Sequence, residues 1–389
     1  MEPVAEKPRL RSLLEHFSVI EDPREQWRVA HPLPEVLLLV VSATIASCDD
    51  FDDIAAWGEA RLDFLRRFLP FHHGVPCGRW LNILMNRIDP DLFSACFMSW
   101  AQALRGDAPD LIALDGKTSR RSHDRGAGKA ALHLVSAFAT TEKLVLGQEA
   151  VEEGSNETTA IPRLLERLAD SGALAGALVT IDAIACNPGI AATIVDKDAD
   201  YLLAVKDNQP SLHADIKRFF DDTPTDALNT HIDIDKGHGR IEERRAAVSH
   251  GVDWMTGSRR FPGEYRFPNI AAVIRIEARV EHKDLCTRMV RYYISSRPLT
   301  AEQAAKAVRA HWQIENALHW VLDVTFKEDL ARVRKGHGAK NMAVVRHFAI
   351  NIVRNAKDKK SIKLRRKVAG WNPDYLYELL TRPSVNPDS

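Results

Sequence analysis

Ala177-Leu-Val-Thr-Ile181 is a short apolar run that ends in an acid, Asp182, and Leu111-Ile-Ala-Leu114 ends in the same way at Asp115. Short apolar runs of this kind indicate buried β-strands. The first acid is followed by Gly116 and Lys117, which predicts a charged turn at that point. Polar side chains that end buried strands lie at the rim of a sheet, where α/β proteins place their sites. We therefore expect both acids at one rim of a sheet.

Strand and helix signals alternate after residue 110. Two runs of alternating hydrophobicity joined by a polar turn predict a hairpin, and later apolar runs predict further strands. The predicted elements are strands at 133–139, 143–151, 177–181 and 201–205, and a helix at 158–168 capped by Asn156. A hairpin followed by alternating strand and helix favours a mixed α/β sheet covered by helices.

The flanking regions have a different character. Residues 10–105 show apolar spacing of three and four residues, which predicts helices. The apolar run from Val36 to Ala46 is too short to span a bilayer and indicates a buried helix, so we expect no membrane contact. Residues 212–284 interrupt the alternation with Gly237-His-Gly239 and a strand-like stretch from Ile270 to Val280. We interpret that stretch as a β-rich insertion.

The overall charge is zero, but it is unevenly distributed. Lys and Arg number thirteen between Ala331 and Gly370, against the single acid Asp358, and five between Gly116 and Ala130. Basic clusters of this kind, close to candidate acidic residues, favour a polyanionic partner over a plain solvated surface. A hydrophobic fraction of 45% argues against disorder, and five scattered cysteines are typical of free thiols in a reducing cytoplasm.

A third candidate acid, Glu315, lies on the helix that is predicted to begin after Thr300. Thr300 and Gln303 form the pattern of a capping box, and the helix is predicted to run to about residue 324. Trp312, Glu315, His319 and Leu322 have helical spacing and would share one largely apolar face. A carboxylate directed inward needs a metal ion or a cation, so Glu315 becomes a candidate metal ligand.

Each acid also has an ordinary structural explanation. Asp115 and Asp182 could serve as turn or helix-cap residues, and Glu315 could form an ion pair with an inward Arg or with His319. Three further acids compete on the same segment, namely Asp323, Glu328 and Asp329. Three carboxylates from separate elements are nonetheless the arrangement that two-metal phosphoryl transfer requires, with Mg²⁺ preferring hard oxygen ligands.

Several strings in the sequence resemble one known family. They are Ala113-Leu-Asp-Gly-Lys-Thr118, Val179-Thr-Ile-Asp-Ala183, Tyr201-Leu-Leu-Ala-Val-Lys-Asp-Asn-Gln209, Gly237-His-Gly-Arg-Ile-Glu-Glu-Arg244 and His311-Trp-Gln-Ile-Glu-Asn-Ala-Leu-His-Trp-Val-Leu-Asp-Val-Thr-Phe-Lys-Glu-Asp329. Together they resemble the H-repeat-associated group of bacterial insertion-sequence transposases, within the DDE superfamily, over about residues 10–355.

The resemblance implies a fold, a domain division and a triad. It implies an RNase H-like mixed sheet flanked by helices, with Asp115, Asp182 and Glu315 as catalytic residues and ligands of two Mg²⁺ ions, Mn²⁺ being an alternative, and no organic cofactor. The implied division is a helical associated domain at 1–105, a catalytic domain at 106–355 with a β-rich insertion at about 210–288, and a basic C-terminal segment and tail at 356–389. Mg²⁺-dependent hydrolysis at the element ends and 3′-OH strand transfer would be the reaction.

The same resemblance implies double-stranded DNA as the partner, both the terminal inverted repeats and the target. At least a homodimer would assemble on that DNA, in the bacterial cytoplasm and associated with the nucleoid. The residues expected to contact DNA are Lys117, Arg120, Arg121, Lys206, Asn208, Gln209, Arg240, Arg332, Arg334 and Lys335, and the cations between 357 and 367 would add backbone attraction.

One departure from related transposases bears on the site. Where a Tyr, an Arg and a Lys flank the Glu at fixed spacing in those enzymes, this chain has Val308, His311 and Leu322. That difference weakens a role for His311 as a phosphate clamp. Two rival functions remain open, a domesticated transposase derivative that binds DNA without cutting it and an RNase H-type nuclease acting on RNA–DNA hybrids.

Overall fold

A computed structural model describes residues 8–105, 110–124, 126, 128–237, 240–256, 266–282 and 285–382 of the chain. The strands predicted at 133–139, 143–151, 177–181 and 201–205 are present, with ends within two residues of the predicted ones, whereas the strand predicted from the run at 111–114 extends further, to Ser119. The described strands are β1 (Leu111–Ser119), β2 (Leu132–Ala139), β3 (Leu144–Ala150), β4 (Leu178–Ile181), β5 (Asp200–Val205), β6 (Asn229–Gly237), β7 (Arg240–Ser249), β8 (Ala272–His282) and β9 (Leu285–Ser295).

All nine strands form one sheet in the order β3-β2-β1-β4-β5-β9-β8-β7-β6. β1, β4 and β5 are parallel, whereas every other neighbouring pair is antiparallel. The sheet is therefore mixed, as expected from a hairpin followed by alternating strand and helix.

The β-rich stretch predicted as an insertion continues the central sheet. A helix at Pro210–Asp222 precedes it, and β6 to β9 then form an antiparallel meander. β9 pairs with β5 from Leu202↔Ser295 to Val205↔Tyr292, so the last strand of the meander joins it to the parallel strands. The backbone hydrogen bonds of β5 are thereby satisfied on both sides.

Helices make up the N-terminal region, as predicted, and cover both faces of the sheet. They are α1 (Pro8–Ser18), α2 (Leu33–Ile45), α3 (Phe51–Ala60), α4 (Leu62–Leu65), α5 (Gly78–Met85), α6 (Pro90–Ala103), α7 (Glu157–Asp170), α8 (Pro188–Val195), α9 (Pro210–Asp222), α10 (Asp253–Thr256), α11 (Ala301–His311), α12 (Gly338–Arg354), α13 (Ile362–Trp371) and α14 (Pro373–Thr381). No helix in these described ranges is long and apolar enough to cross a bilayer.

Local sequence signals explain where several helices begin. α2 starts with Pro34 in its first turn, where the missing N–H costs no hydrogen bond, and its apolar run is buried throughout. Asn156 caps α7 by accepting a hydrogen bond from the N–H of Thr158. Thr300 and Gln303 form the predicted capping box at the start of α11.

Helix α12 connects the N-terminal helices to the sheet. Its Asn341 donates to the carbonyls of Met85 and Ile88, and its Asn351 bonds both backbone groups of Val145 on the edge strand β3. One cluster of buried hydrophobic residues extends through the N-terminal helices, the sheet and the C-terminal helices, and a second cluster packs α11 against strands of the sheet. The fold class predicted from the sequence, a mixed α/β sheet flanked by helices with a helical N-terminal region, is confirmed.

The basic C-terminal stretch forms helices that pack on this core. Arg365 and Arg366 of α13 are buried, and Arg366 donates to the carbonyls of Thr44 and Thr325. Burial costs an arginine its hydration, and these carbonyls replace the lost hydrogen bonds. Part of the positive charge in this segment therefore stabilises the fold.

Candidate active site

The parallel pairing of β1 and β4 brings two of the predicted acids together. Leu114↔Ile181 is the last pair of that ladder, so Asp115 and Asp182 are the next residue on each strand. Side chains at matching positions of neighbouring parallel strands point to the same face, and such strands lie about 4.8 Å apart. The two acids accordingly line the same cleft.

Asp115 lies inside β1, so the predicted turn at Asp115-Gly-Lys is wrong. The strand continues to Ser119, because β2 pairs with it from Ile112 to its end. The Asp115 carboxylate accepts a hydrogen bond from the N–H of Gly116 at 2.9 Å, and Nδ1 of His319 lies 3.4 Å from its other oxygen. A strand interior holds the backbone of this acid more rigidly than a turn would.

Asp182 follows β4 directly and caps a short 3₁₀ turn, Ala183–Ala185. Its carboxylate accepts a hydrogen bond from the N–H of Ala183 at 2.6 Å and lies 3.1 Å from Nζ of Lys206. Burial alone would raise the pKa of Asp182, but this hydrogen bond and the Lys206 ammonium hold that pKa below its usual value. Asp182 is therefore ionised at neutral pH.

Glu315 occupies a helical segment of unexpected geometry. The α-helix ends at His311, and π-helical turns follow at Ile314–His319 and Val321–Thr325. Because a π-turn contains more residues than an α-turn, the face predicted from α-helical spacing is not uniform. Trp312 and Glu315 are exposed, whereas His319 and Leu322 are buried.

The structure nevertheless brings Glu315 to the cleft that Asp115 and Asp182 line. Within the described part of the chain, no hydrogen bond or ion pair occupies the Glu315 carboxylate. The ion pair with His319 considered from the sequence is not formed, because His319 contacts Asp115. One cleft thus contains three carboxylates contributed by β1, by the end of β4 and by the segment after α11.

Two further side chains in this cleft were not assigned from the sequence as site residues. His311 hydrogen-bonds Thr180 at 2.9 Å, and burial lowers its pKa even though Asp115 and Asp182 act in the opposite direction, so its imidazole is neutral at neutral pH. Arg291 of β9 stacks on the Trp312 ring at 4.8 Å and has no carboxylate partner among the described residues. Arg291 lies in an alternating strand like any other, so no local signal distinguishes it.

The carboxylate oxygens of the cleft suit a hard divalent cation, although the three acids do not form a complete metal site as they stand. In the described ranges, no three His, Cys, Asp or Glu side chains are close enough to hold a metal ion as they stand. Asp182 is paired with Lys206 and Asp115 with His319, and both contacts lie at the cleft. Carboxylate oxygens from three elements are the ligands that Mg²⁺ takes in proteins, so the residues present fit such an ion.

The three competing acids have a different partner. Nζ of Lys117 lies 2.7 Å from Asp323, 2.8 Å from Glu328 and 3.7 Å from Asp329. These acids are therefore engaged with a lysine beside the cleft.

Other predicted DNA contacts are engaged within the protein as well. Asn208 donates to the carbonyl of Ala183, and Gln209 donates to the carbonyl of Cys186 at 3.0 Å. Both side chains thus hold the loop that follows Asp182. The ion pair of Lys206 with Asp182 is half-exposed and leaves its ammonium accessible to solvent.

The remaining predicted contacts lie on the surface beside the cleft. Arg120 is exposed and pairs with Asp329 at 3.3 Å. Arg121, Arg332 and Lys335 are exposed and Arg334 is half-buried, with Nε of Arg334 donating to the carbonyl of Arg121. Arg332, Arg334 and Lys335 line one surface depression, which Arg121 adjoins through that contact. Arg240 begins β7, and its side chain lies outside the described residues.

Comparison with known proteins supplies the family. The family model described as "Transposase DDE domain" matches residues 106–352, and the one described as "DDE_Tnp_1-associated" matches residues 14–101. Putative transposase YncI of Escherichia coli O157:H7 is 38% identical over 379 residues, which are 95% of this chain and 95% of that protein. H repeat-associated putative transposase YhhI of Escherichia coli (strain K12) is 38% identical over 381 residues, 95% of this chain and 98% of that protein.

A solved structure also aligns with this chain, the cryo-EM structure of the piggyBac transposase synaptic complex with hairpin DNA. The alignment covers 97% of this chain and 80% of that one, at a TM-score of 0.39 and 11% identity. A structural similarity this low gives no information about the residues of the cleft.

Proposed function

Because this chain belongs to the DDE transposases of bacterial insertion sequences, we propose that it cuts DNA at the ends of its element and joins the freed 3′ ends to target DNA. The observation that supports this reaction is the cleft shared by Asp115, Asp182 and Glu315. Two Mg²⁺ ions bound there would activate a water or a DNA 3′-hydroxyl as the nucleophile and would stabilise the leaving oxygen of an in-line displacement.

The protein's own residues would arrange the ligands and the DNA. Asp115 and Asp182 would present their oxygens from the end of the parallel ladder, and Glu315 would present its own from the segment after α11. Arg291 is the cation of the cleft that no described acid neutralises, so it can contact a DNA phosphate without breaking an ion pair. His311, neutral and hydrogen-bonded to Thr180, lines the same cleft as the two aspartates.

The proposed division of labour in the chain follows from the same elements. Residues 106–355 would carry the RNase H-like catalytic domain, and residues 1–105 the associated helical domain. The exposed cations Arg120, Arg121, Arg332 and Lys335 would attract the DNA backbone in a salt-dependent manner. Pairing of two DNA ends would require at least a dimer on the DNA.

The test is a nicking assay on DNA that carries the inverted repeats bracketing this reading frame, with Mg²⁺ present or withheld. We expect Asp115→Asn, Asp182→Asn and Glu315→Gln each to abolish nicking and strand transfer while DNA binding and the unfolding midpoint stay near those of the wild type. Glu302→Gln is the matched control, because Glu302 lies on α11 and pairs only with exposed Lys306 among described residues. Full nicking by any one of the three variants removes that residue from the triad.

The rival function, DNA binding without cleavage, is favoured by one observation. Two of the three acids have protein partners, and the acids do not form a metal site as they stand. The same assay separates the two functions. A wild-type chain that binds its repeats and nicks them with neither Mg²⁺ nor Mn²⁺ supports the rival.

A further inference from the structure

Lys117 has the most densely paired side chain near the cleft. Its ammonium contacts Asp323 and Glu328 at hydrogen-bond distance and Asp329 at 3.7 Å, and its side chain is only 10% exposed. Burial deprives the ammonium of water, and these carboxylates take the place of that hydration. A lysine already neutralised in this way gains little by binding a DNA phosphate.

The positions of Lys117 and its partners in the chain are informative. Lys117 lies two residues after Asp115 on β1, so both side chains are on the same face of the sheet. All three partner acids lie in residues 323–329, the stretch that follows the π-helical segment of Glu315. The lysine therefore links the strand of the first acid to the segment of the third.

A third element makes this link rigid. Glu328 is 4% exposed and lies between Lys117 at 2.8 Å and Arg346 of α12 at 3.4 Å. Burial alone would raise the pKa of Glu328, but the two cations hold it below its usual value, so the carboxylate is ionised. Since α12 is buried in the helical core, β1, the 323–329 stretch and the core are joined at one buried carboxylate.

The Glu315 segment depends on such an anchor. It forms a π-helical turn, a rare geometry that occurs mostly as single turns, and no described side chain holds the Glu315 carboxylate. The position of that carboxylate relative to Asp115 is therefore set by the elements at the two ends of the segment, α11 before it and the Lys117-bound acids after it.

We propose that Lys117 is a positioning residue that fixes the segment carrying Glu315 against the strand carrying Asp115, and that it does not contact DNA. The proposal rests on the proposed function of this cleft, since it gives the lysine a role through Glu315. The three carboxylates and Arg346 named above are the groups through which it acts.

The experiment compares the full-length wild type with Lys117→Met, Lys117→Arg and the control Arg11→Met. Arg11 pairs with Glu15 on the surface of α1, far from the cleft in the chain, so its loss removes an exposed ion pair only. Three quantities are measured for each protein: amide hydrogen exchange in residues 314–330, the Mg²⁺ concentration for half-maximal nicking, and the slope of DNA affinity against salt concentration.

For Lys117→Met we expect faster exchange in 314–330 and an Mg²⁺ requirement raised roughly tenfold to a hundredfold, as for other residues that orient metal ligands. The salt slope should stay at the wild-type value, because no phosphate contact is lost. Lys117→Arg retains the charge and should recover most of the Mg²⁺ dependence, and Arg11→Met should match the wild type in all three measurements.

Two results would overturn the proposal. A salt slope reduced by about one unit in Lys117→Met, with unchanged exchange in 314–330, would make Lys117 a phosphate contact. If Lys117→Met does not fold, the double variant with Glu328→Gln removes the buried charge left without its lysine. Wild-type exchange and wild-type Mg²⁺ dependence in that folded double variant would also overturn it.

Failure of the proposed function gives a different pattern. In that case the wild type itself does not nick DNA with either Mg²⁺ or Mn²⁺. Lys117→Met and Lys117→Arg can still be compared by hydrogen exchange in residues 314–330 and by the salt slope of DNA affinity. The positioning role and the cleavage reaction can thus be judged separately.

Discussion

Two lysine–carboxylate pairs flank the same cleft and differ mainly in their contact with water. Lys206 and Asp182 lie 3.1 Å apart with side chains 52% and 51% exposed, whereas Lys117 and Glu328 lie 2.8 Å apart with side chains 10% and 4% exposed. Water can replace either partner of the first pair at little cost. Little of the second pair is exposed to water, so its charges depend on their neighbours in the protein.

This difference separates two roles that the sequence does not distinguish. Exposed ion pairs contribute about 0–1 kcal/mol, so Asp182 can exchange its lysine for a metal ion. Breaking a buried pair by removing one partner costs about 3–5 kcal/mol, because the remaining charge stays desolvated. The Lys206 pair can accordingly break when a ligand binds in the cleft. The Lys117 pair instead stabilises the folded structure around the cleft.

The strongest test of this comparison is Glu328→Gln. Loss of the carboxylate leaves Lys117 and Arg346 buried beside a neutral amide, and we expect the free energy of unfolding to fall by about 3 kcal/mol. Urea denaturation monitored by circular dichroism measures it. The control Glu302→Gln breaks an exposed pair and should shift stability by less than about 0.5 kcal/mol. Equal effects of the two substitutions would contradict a structural role for the buried pair.

His347 provides a second test of the buried framework. Burial lowers its pKa to about 4, with His319, Arg346 and Lys117 acting in the same direction and Glu328 opposing them. In the unfolded chain His347 binds a proton as the pH falls through 6.5, whereas in the folded chain it binds that proton only at about pH 4. Stability contributed by neutral His347 is thus complete above pH 6.5 and is lost at about 1.4 kcal/mol per pH unit between those values.

Unfolding curves at pH 7, 6 and 5 measure that loss. His347→Phe retains a ring against Phe97 and should lower the slope of stability against pH in this window by the contribution of one proton. An unchanged profile for His347→Phe would show that other groups cause the pH dependence.

Arg291→Gln tests a cation of the cleft without a described acid partner. If Arg291 contacts a phosphate near the reacting bond, the nicking rate at saturating DNA should fall roughly tenfold or more. Arg288→Gln is the matched control, since Arg288 lies on the same strand but pairs with Glu277 on the surface. Similar rates for the two variants would place the phosphate elsewhere in the cleft.

Lys206→Met should give the smallest change in stability, below about 1 kcal/mol, because the pair that it removes is half-exposed. Without the ammonium, the pKa of Asp182 should rise towards its usual value, which a carbon-detected NMR titration of that carboxyl would record. A larger loss of stability than for Glu328→Gln would show that the exposed pair contributes more to stability than the buried pair.

Much of the fold could be predicted from local patterns. Alternation and apolar runs gave the strands, and the caps at Asn156 and Thr300 gave the starts of α7 and α11. The acids at the ends of two apolar runs were found in the same way. Local patterns failed at Asp115-Gly-Lys, where β2 extends the strand, and at the π-helical turns around Glu315, where packing overrides α-helical spacing.

The amino-acid sequence by itself determined most of the core strands, the helix caps and the choice of three candidate acids, because hydrophobic periodicity and capping act between residues a few positions apart. Only the tertiary structure decided which charges are neutralised and which remain available. Lys117 meets Glu328 across 211 residues, and Asn208 meets Ala183 across 25. No local pattern encodes such partners, since burial and Coulombic pairing depend on distances that exist only after the chain has folded.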